Sequence, residues 1–246
     1  MDDAMPNANA QARMVDASRG LAWWTEAWAL FMRSALLWVA LGLILIIGCA
    51  VIGMVPLLGA LATALLMPAF VGGWMLAARK VHDGGTLEVG DLFRAFQGPQ
   101  LTPLIVLGAL FAAATALAFL LAGVLGAGAA FGMFSGGMHR SGAGLLAGLG
   151  VGLVAMLVFL GIGLLATAAM WFAPALVVFR QIAPIDAAKA SFAAVFKNWL
   201  PFLVYGLIQF VLAIVASIPF ALGWLVLVPV MMLTAYVSYR DLFEAS

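Results

Sequence analysis

The sequence predicts an all-α, polytopic membrane protein with six transmembrane helices arranged as three hairpins, and three observations predict it. Of the 246 residues, 66% are hydrophobic and only 9% are charged, whereas about 25% are charged in a soluble domain. Four uncharged stretches are each longer than 35 residues. Proline and glycine turns divide two of them into pairs of spans. A chain with a mean hydropathy of +1.18 cannot cover a soluble fold with polar side chains.

The first two segments lie before the spans. Residues 1–17 are polar and rich in alanine and asparagine, without the apolar run of a signal peptide, so we expect an uncleaved, disordered cytoplasmic tail. Residues 18–33 carry apolar side chains at helical spacing, with charges at other angles. This pattern predicts an amphipathic helix at the headgroup level. Its apolar stripe comprises Leu21, Trp24, Trp28 and Phe31.

The spans follow from length, because about 20 apolar residues cross a hydrocarbon core of about 30 Å. Turns at 55–59 and 218–223 close the first and last pairs, and the glycine-rich run 126–144 joins the middle pair. The uncharged run 141–179 is too long for one untilted span, so we expect a bend near Trp171 and Pro174. The membrane domain is thus 34–240, followed by a cytoplasmic tail, 241–246. The predicted spans are 34–54, 58–78, 101–125, 145–170, 200–220 and 222–239.

The basic residues predict the orientation of these spans. Arg140 is the one basic residue on one side, and the other ten lie opposite, which puts both termini in the cytoplasm. All ten acids lie on the ten-cation side too, so that face is neutral in sum and gives no footprint for nucleic acid. The ten are Arg13, Arg19, Arg33, Arg79, Lys80, Arg94, Arg180, Lys189, Lys197 and Arg240.

The hairpins show signs of duplication. The segment 101–108 aligns with 199–206 without a gap, and Pro68 precedes Arg79 by the same distance as Pro229 precedes Arg240. An amphipathic stretch precedes each hairpin, at 18–33, around 89–96 and around 185–199. We interpret the chain as three parallel units of interfacial helix plus hairpin, with chance similarity as the alternative.

Four segments carry a family resemblance that covers nearly the whole chain. Together they resemble an uncharacterised family of proteobacterial inner-membrane proteins with six helices, a domain of unknown function. The chain is similar, more loosely, to the membrane part of glycerophosphodiester phosphodiesterases, without their catalytic domain. The resemblance implies location and architecture only, because it brings no catalytic residues with it. The segments are 84–96, 171–177, 198–202 and 239–243.

The inventory of chemical groups argues against catalysis. The predicted spans hold no Asp, Glu, Lys, Arg or His side chain, whereas proton-coupled transporters normally place one near the midplane. We therefore expect no enzyme, no cofactor and no metal site. His139 beside Arg140 could bind a metal or an anionic headgroup, but a solvated pair is the simpler interpretation.

Two intramembrane features have competing interpretations. Gln209 is an amide near the middle of a span; it could bind a substrate, but an interhelical hydrogen bond is the simpler explanation. Gly144, Gly148 and Gly152 form a strip at four-residue spacing that favours close helix packing, with a flexible gate as the alternative.

Charged residues on the cytoplasmic side could form a docking face for a partner. Asp91 is predicted to cap the helix after Gly90, and Asp186 follows Pro184 in the first turn of the third amphipathic helix, so capping alone explains both acids. The alternative is a surface that binds another membrane protein or a second copy. Its members would be Asp91, Arg94, Asp186, Lys189 and Lys197.

The sequence thus leads to two hypotheses on function. The first is a non-enzymatic inner-membrane protein with a structural, regulatory or assembly role in the envelope, whose surroundings are the lipid bilayer. The second is a transporter or exporter of a small apolar or amphipathic compound. A water-lined cavity around Gln209 would favour the second, and a dry bundle the first.

Overall fold

The structure, a computed structural model, describes residues 11–138 and 142–244, and these residues form helices and connecting turns. The described residues contain nine α-helices, numbered in chain order, and one 3-10 helix. They are α1 (Arg19–Met32), α2 (Ala35–Gly53), α3 (Leu58–His82), the 3-10 helix (Val89–Phe96), α4 (Leu101–Met138), α5 (Gly142–Met170), α6 (Ala173–Arg180), α7 (Pro184–Lys197), α8 (Trp199–Ser217) and α9 (Trp224–Phe243).

Six helical segments are long and apolar enough to cross a membrane, which confirms the predicted fold class. They pair as α2 with α3, α4 with α5, and α8 with α9, and a short helix precedes each pair: α1, the 3-10 helix and α7. Residues with positive φ close two of the turns, at Leu57 in the first and at Phe220 and Ala221 in the last. The duplication of the hairpins stays a prediction.

The bend expected near Trp171 is present. Helix α5 ends at Met170, and α6 begins at Ala173 with Pro174 in its first turn. Proline fits there because the first turn of a helix leaves its N–H groups unbonded in any case. The left-handed residue Gln181, with φ of 54°, ends α6.

The prediction of a glycine-rich loop over 126–144 is wrong for its described part. Helix α4 continues through this run to Met138, and α5 starts again at Gly142. Inside the hydrocarbon core every peptide group needs a partner within its own segment, which favours the helix there. The 38 residues of α4 rise about 57 Å, so the helix also continues beyond a core of about 30 Å. His139 and Arg140 lie outside the described residues.

The chain forms two compact units where the sequence predicts a single domain of residues 34–240. The first comprises the residues up to Gly108 and those from Ala168 onward, and the second is Ala109–Thr167. In the second unit, Phe119 of α4 and Phe159 of α5 pack with their ring centroids 5.1 Å apart.

The core of the first unit is aromatic and lies near the carboxyl ends of α3 and α9. Trp38 of α2 packs on Trp74 of α3 with ring centroids 5.3 Å apart, and both side chains are fully buried. A Cβ atom at Gly20 would overlap the carbonyl oxygen of Pro201, so α1 lies directly on the first turns of α8. The largest fully buried side chains are Trp23, Trp38, Trp74, Tyr236, Tyr239 and Phe172.

Helix α1 agrees with the predicted 18–33 helix, but its buried face differs from the predicted apolar stripe. Trp24 and Phe31 are buried, whereas Leu21 and Trp28 are about half exposed. Trp23, which the stripe omits, is buried as well, because its indole N–H reaches a carboxylate on α9. Contacts with the rest of the protein therefore determine which face of α1 is buried. Contact of the other face with lipid headgroups stays a prediction.

Both predicted tails are corrected within the described residues. The backbone N–H of Arg13 donates to the carbonyl of Leu242 at 2.9 Å, and that of Val15 donates to Asn198 Oδ1 at 2.9 Å. Residues 11–17 are thus bound to the fold, while 1–10 lie outside the described residues. At the other end α9 extends to Phe243, and Asp241 and Leu242 are buried. Polar composition alone predicts solvation and misses such backbone pairing.

Candidate functional site

The most elaborate polar site in the described part of the chain surrounds the carboxylate of Asp241. Its side chain is 5% exposed and accepts hydrogen bonds from Trp23 Nε1 at 2.9 Å and from Arg19 Nε at 2.6 Å. The guanidinium of Arg13 pairs with the other carboxylate oxygen and also donates to the backbone carbonyl of Asp241. One buried acid on α9 thus binds donors from α1 and from the segment before it.

The charged side chains around Asp241 form consecutive ion pairs. Arg19 also pairs with Glu26, about two turns along α1, at 2.9 Å. Burial by itself lowers the pKa of the Arg19 guanidinium, but the hydrogen bond and charge of Asp241, with those of Glu26, raise it above its ordinary value. These residues, with Val237, Arg240 and Glu244, line a polar cleft of about 500 Å³.

The junction of α7 and α8 holds the N-terminal segment from a second side. Asn198 Nδ2 donates to the carbonyl of Arg13 at 3.1 Å, and Lys197 Nζ donates to that of Ala12 at 2.7 Å. Because Asn198 also accepts from Val15, its buried amide makes hydrogen bonds in both directions. Residues 12–15 are therefore hydrogen-bonded both to this junction and to the end of α9.

A second buried acid, Asp91, lies at the start of the 3-10 helix. Its carboxylate contacts Lys80 Nζ at 3.0 and 3.1 Å and accepts from the backbone N–H of Glu88 at 2.8 Å. Glu88 is the N-cap residue, and Asp91, three residues later, is its partner in a capping box. The predicted N-cap role of Asp91 is therefore wrong by three positions: the N-cap is Glu88, and Asp91 caps reciprocally from the third position inside the helix.

A third cluster ties α3, α6 and α9 together. Arg79 forms an ion pair with Glu244, and its guanidinium carbon lies 3.6 Å from the ring centroid of Phe179. Arg180 donates to the backbone carbonyl of Phe243. A guanidinium over an aromatic face is attracted by the ring's negative face. All three helices therefore meet at one end through arginine contacts.

The carboxylates of Asp91 and Asp241 already bind groups of the same chain and are not free to react with a substrate. A catalytic acid or base must reach a substrate proton, but Asp91 and Asp241 are buried and engaged by cations and N–H donors of their own chain. Among the described residues, no group of three or more His, Cys, Asp and Glu side chains could hold a metal ion. The arrangement is suited to bracing helices against one another.

Sequence reasoning missed Asp241, although a signal for it exists. It placed residues 241–246 in a free tail, yet Asp241 lies two residues after the predicted last span and within the segment 239–243. Its partners Arg13 and Arg19 lie more than 200 positions earlier, so no local pattern connects them. Only the tertiary structure brings the three together.

Both roles predicted for Gln209, an interhelical hydrogen bond and substrate binding, stay predictions. The residue lies on α8 and is partly exposed, and no hydrogen bond to its amide is found among the described residues. It also lines none of the cavities described here, which belong to other faces.

The glycine strip lies on α5 in the second unit. Gly148 is buried, and a Cβ atom at Gly152 would lie 3.9 Å from that of Ala129 on α4, at ordinary van der Waals distance. The surroundings of Gly144 lie outside what the structure describes. A packing role for the strip stays a prediction.

The five residues of the predicted docking face fall into two groups. Asp91 and Arg94 belong to the 3-10 helix, which packs on α2 and α3, whereas α7, which packs on α6 and α8, carries the others. Asp91 is corrected from a surface residue to a buried one, because Lys80 binds its carboxylate. Asp186 and Lys189 are exposed, with their charged atoms 3.9 Å apart.

An apolar groove opens between α8 and α9, capped by α1. It has a volume of about 550 Å³. From α1 come Trp24, Thr25 and Trp28, and the remaining walls are made of Leu212, Val215, Ala216, Pro219, Gly223, Val226, Leu227 and Val230.

Comparison with known proteins agrees with this architecture. The family described as Domain of unknown function (DUF7847) matches residues 18–242. A probable inner membrane protein of Burkholderia thailandensis is 30% identical over 209 residues, which cover 82% of this chain and 76% of that protein. No solved structure matches the chain. This chain is therefore an integral membrane protein that belongs to the DUF7847 family.

Proposed function

We propose that this protein has a non-enzymatic, structural or assembly role in the bacterial inner membrane, with both termini in the cytoplasm. The observation that carries the proposal is the Asp241 site, where one buried acid braces the N-terminal segment, α1 and α9. Such a site stabilises a fixed surface. A site built for proton transfer would instead leave its carboxylate open to a substrate.

The position of the charged contacts supports the proposed orientation. Arg33 donates to the carbonyls of Val81 and His82 at the end of α3, both at 3.2 Å, and Arg19 binds Asp241 near the end of α9. Both ends of α1 therefore contact helix ends that the distribution of basic residues assigns to the cytoplasm. A helix held across these ends is suited to the headgroup level.

The exposed charges of α7 and those of the 3-10 helix lie on two separate elements, and such a role would act through them. Lys189, Asp186 and Arg94 keep most of their side-chain surface exposed. We assign them to contact with a membrane-protein partner or a second copy of the chain. The buried carboxylate of Asp91 forms ion pairs with Arg94 of the 3-10 helix and with Lys80 of α3.

Site-specific photocrosslinking in living cells tests this role. A photoreactive amino acid replaces Lys189 or Arg94, and a matched control replaces Phe210, an exposed apolar residue of α8. We expect a discrete crosslinked band from the two charged positions and none from position 210. An adduct of twice the chain's mass identifies a second copy, and another mass identifies a different partner. Absence of any band at both charged positions, with normal expression, contradicts the proposal.

The groove favours a second candidate, a transporter or exporter of a small apolar or amphipathic compound. Its volume falls in the ~300–1,000 Å³ range of small-molecule sites, and its walls are apolar. In proteoliposomes, a transporter would accelerate the transfer of a fluorescent apolar amphiphile between leaflets. Replacing Val215 with Trp would fill the groove and stop the transfer, whereas Val211→Trp on the same helix would not. Equal rates in empty and protein-containing vesicles would exclude this candidate.

A further inference from the structure

The apolar groove is bounded at both ends by direct contacts between α8 and α9. At the turn, Gly223 lies so close to Ala216 that a Cβ atom would overlap it, and Trp224 Nε1 donates to Ser217 Oγ at 3.1 Å. Toward the other end, Thr234 Oγ1 donates to Tyr205 Oη at 3.3 Å. The helices separate between these contacts, so the groove is a closed-ended slot that opens to the side.

The polar groups at the α1 end of the slot are already bonded. Thr25 Oγ1 donates to the carbonyl of Ala22 at 2.9 Å, and Trp24 Nε1 donates to that of Tyr205 at 3.3 Å. Water in a cavity needs two to four polar partners, and the walls contributed by α8 and α9 carry only apolar side chains. The slot is therefore dry, and it favours an occupant that needs no hydrogen bond.

The size of the slot limits what can fill it. An α-helix about 10 Å wide occupies roughly 420 Å³ per turn, so the slot's volume of about 550 Å³ holds little more than one turn. A transmembrane helix of a partner, or of a second copy, could cover the open side of the slot but is too wide to enter it. A single hydrocarbon chain is thin and flexible enough to enter from the side.

The surroundings of the slot identify the source of such a chain. Helices α8 and α9 are membrane spans, so the slot opens onto the hydrocarbon layer. On α9, the lining residues Val226 and Val230 share one helix face with Val237 and Asp241 of the polar cleft, at spacings of four and seven. Helix α1 crosses this face, with Trp24 and Trp28 toward the slot and Arg19 toward the cleft. Tryptophan favours the level where acyl chains meet headgroups.

We propose that the slot between α1, α8 and α9 is a binding site for one acyl chain of a membrane phospholipid. The chain's terminal methyl lies toward Pro219, and its ester end lies beside Trp24 and Trp28. An apolar void left empty would forfeit dispersion contacts on all its walls. One bound acyl chain would contact both α1 and the last hairpin and so link them through lipid. Such a link goes beyond the structural role proposed above.

Native mass spectrometry of the full chain, released from nanodiscs of phosphatidylethanolamine and phosphatidylglycerol, tests this site. Val215 lines the slot and is 54% exposed; Val211, one turn earlier on α8, is 57% exposed and lies outside it. We expect the wild type and Val211→Trp to retain one phospholipid per chain under activation that removes all others. Val215→Trp loses that phospholipid, because the indole occupies the slot.

A second variant keeps the test decisive if Val215→Trp fails to fold. Val226→Trp fills the slot from α9, and circular dichroism with gel filtration establishes folding for each protein. Loss of the retained phospholipid in a folded slot variant, with retention in Val211→Trp, supports the site. Retention of none by the wild type, or equal retention by all variants, overturns it, because the bound lipid would then be ordinary annular lipid.

Discussion

Replacing Asp241 with Asn tests how much the buried carboxylate contributes to the free energy of unfolding. The amide keeps the size of the carboxylate and can still accept from Trp23, but it removes the charge shared by Arg13 and Arg19. Breaking a buried ion pair costs about 3–5 kcal/mol when the remaining charge stays buried. Here the side chains of Arg13 and Arg19 are 46% and 32% exposed, so water compensates in part.

We therefore expect Asp241→Asn to lower the free energy of unfolding by about 2–3 kcal/mol. At roughly 2–4 °C per kcal/mol for a chain of this size, the Tm in detergent falls by about 5–10 °C. Circular dichroism measures it directly, and the reaction of the lone, partly buried Cys49 with a thiol dye gives an independent melting curve. The two readouts sample different parts of the fold.

The matched control is Asp186→Asn, which removes an exposed acid whose partner Lys189 is 3.9 Å away. Exposed pairs contribute about 0–1 kcal/mol, so its Tm stays within about 4 °C of wild type. Arg13→Gln combined with Asp241→Asn adds less than the sum of the two single losses, because both remove one interaction. Coincident melting of Asp241→Asn and Asp186→Asn would refute a bracing role for the buried acid.

Two further predictions concern topology and close packing. Alkaline phosphatase fused after Arg140 is active and fused after Lys80 is inactive, because the excess of basic residues assigns Lys80 to the cytoplasm; the reverse activities would overturn the orientation. Gly20→Ala lowers the stability measured by thermal unfolding by about 1–3 kcal/mol, since its Cβ overlaps the carbonyl oxygen of Pro201. Gly48→Ala, whose Cβ meets nothing within 4 Å, causes no loss, and equal Tm values for the two variants would contradict the docking of α1 on α8.

The number and approximate positions of the spans could be predicted because hydropathy and length act locally. The break after Met170 could be predicted for the same reason: an uncharged run too long for one span contains a proline that suits a helix start. The buried face of α1 could not be predicted from the sequence. Trp23 and Trp24 are adjacent, and both are buried. The apolar period accounts for Trp24, whereas the burial of Trp23 depends on Asp241, more than 200 residues away.

The error over the glycine-rich run has a different cause. In water, glycine gains backbone entropy as a loop, and a run such as Gly126–Gly128 weakens a helix. Where water is absent, the loop loses the partners of its peptide groups, and the preference reverses. This reversal covers only the part of α4 that lies in the hydrocarbon core. At 1.5 Å per residue, the 38 residues of α4 rise about 57 Å, so the helix continues beyond a core of about 30 Å, and composition alone does not explain its full length.

The distribution of contacts in the first unit links its stability to its proposed role. The ends of α3 and α9 assigned to the cytoplasm carry two buried acids nearby and three arginine contacts that join separate elements. The opposite turn of the last hairpin carries Phe220 and Ala221 at positive φ, and Phe220 is almost fully exposed. Local opening costs least where few buried contacts must break. A partner docked on α7 would therefore meet the rigid end, and exchange of a lipid chain through the slot would proceed by opening from the turn near Pro219.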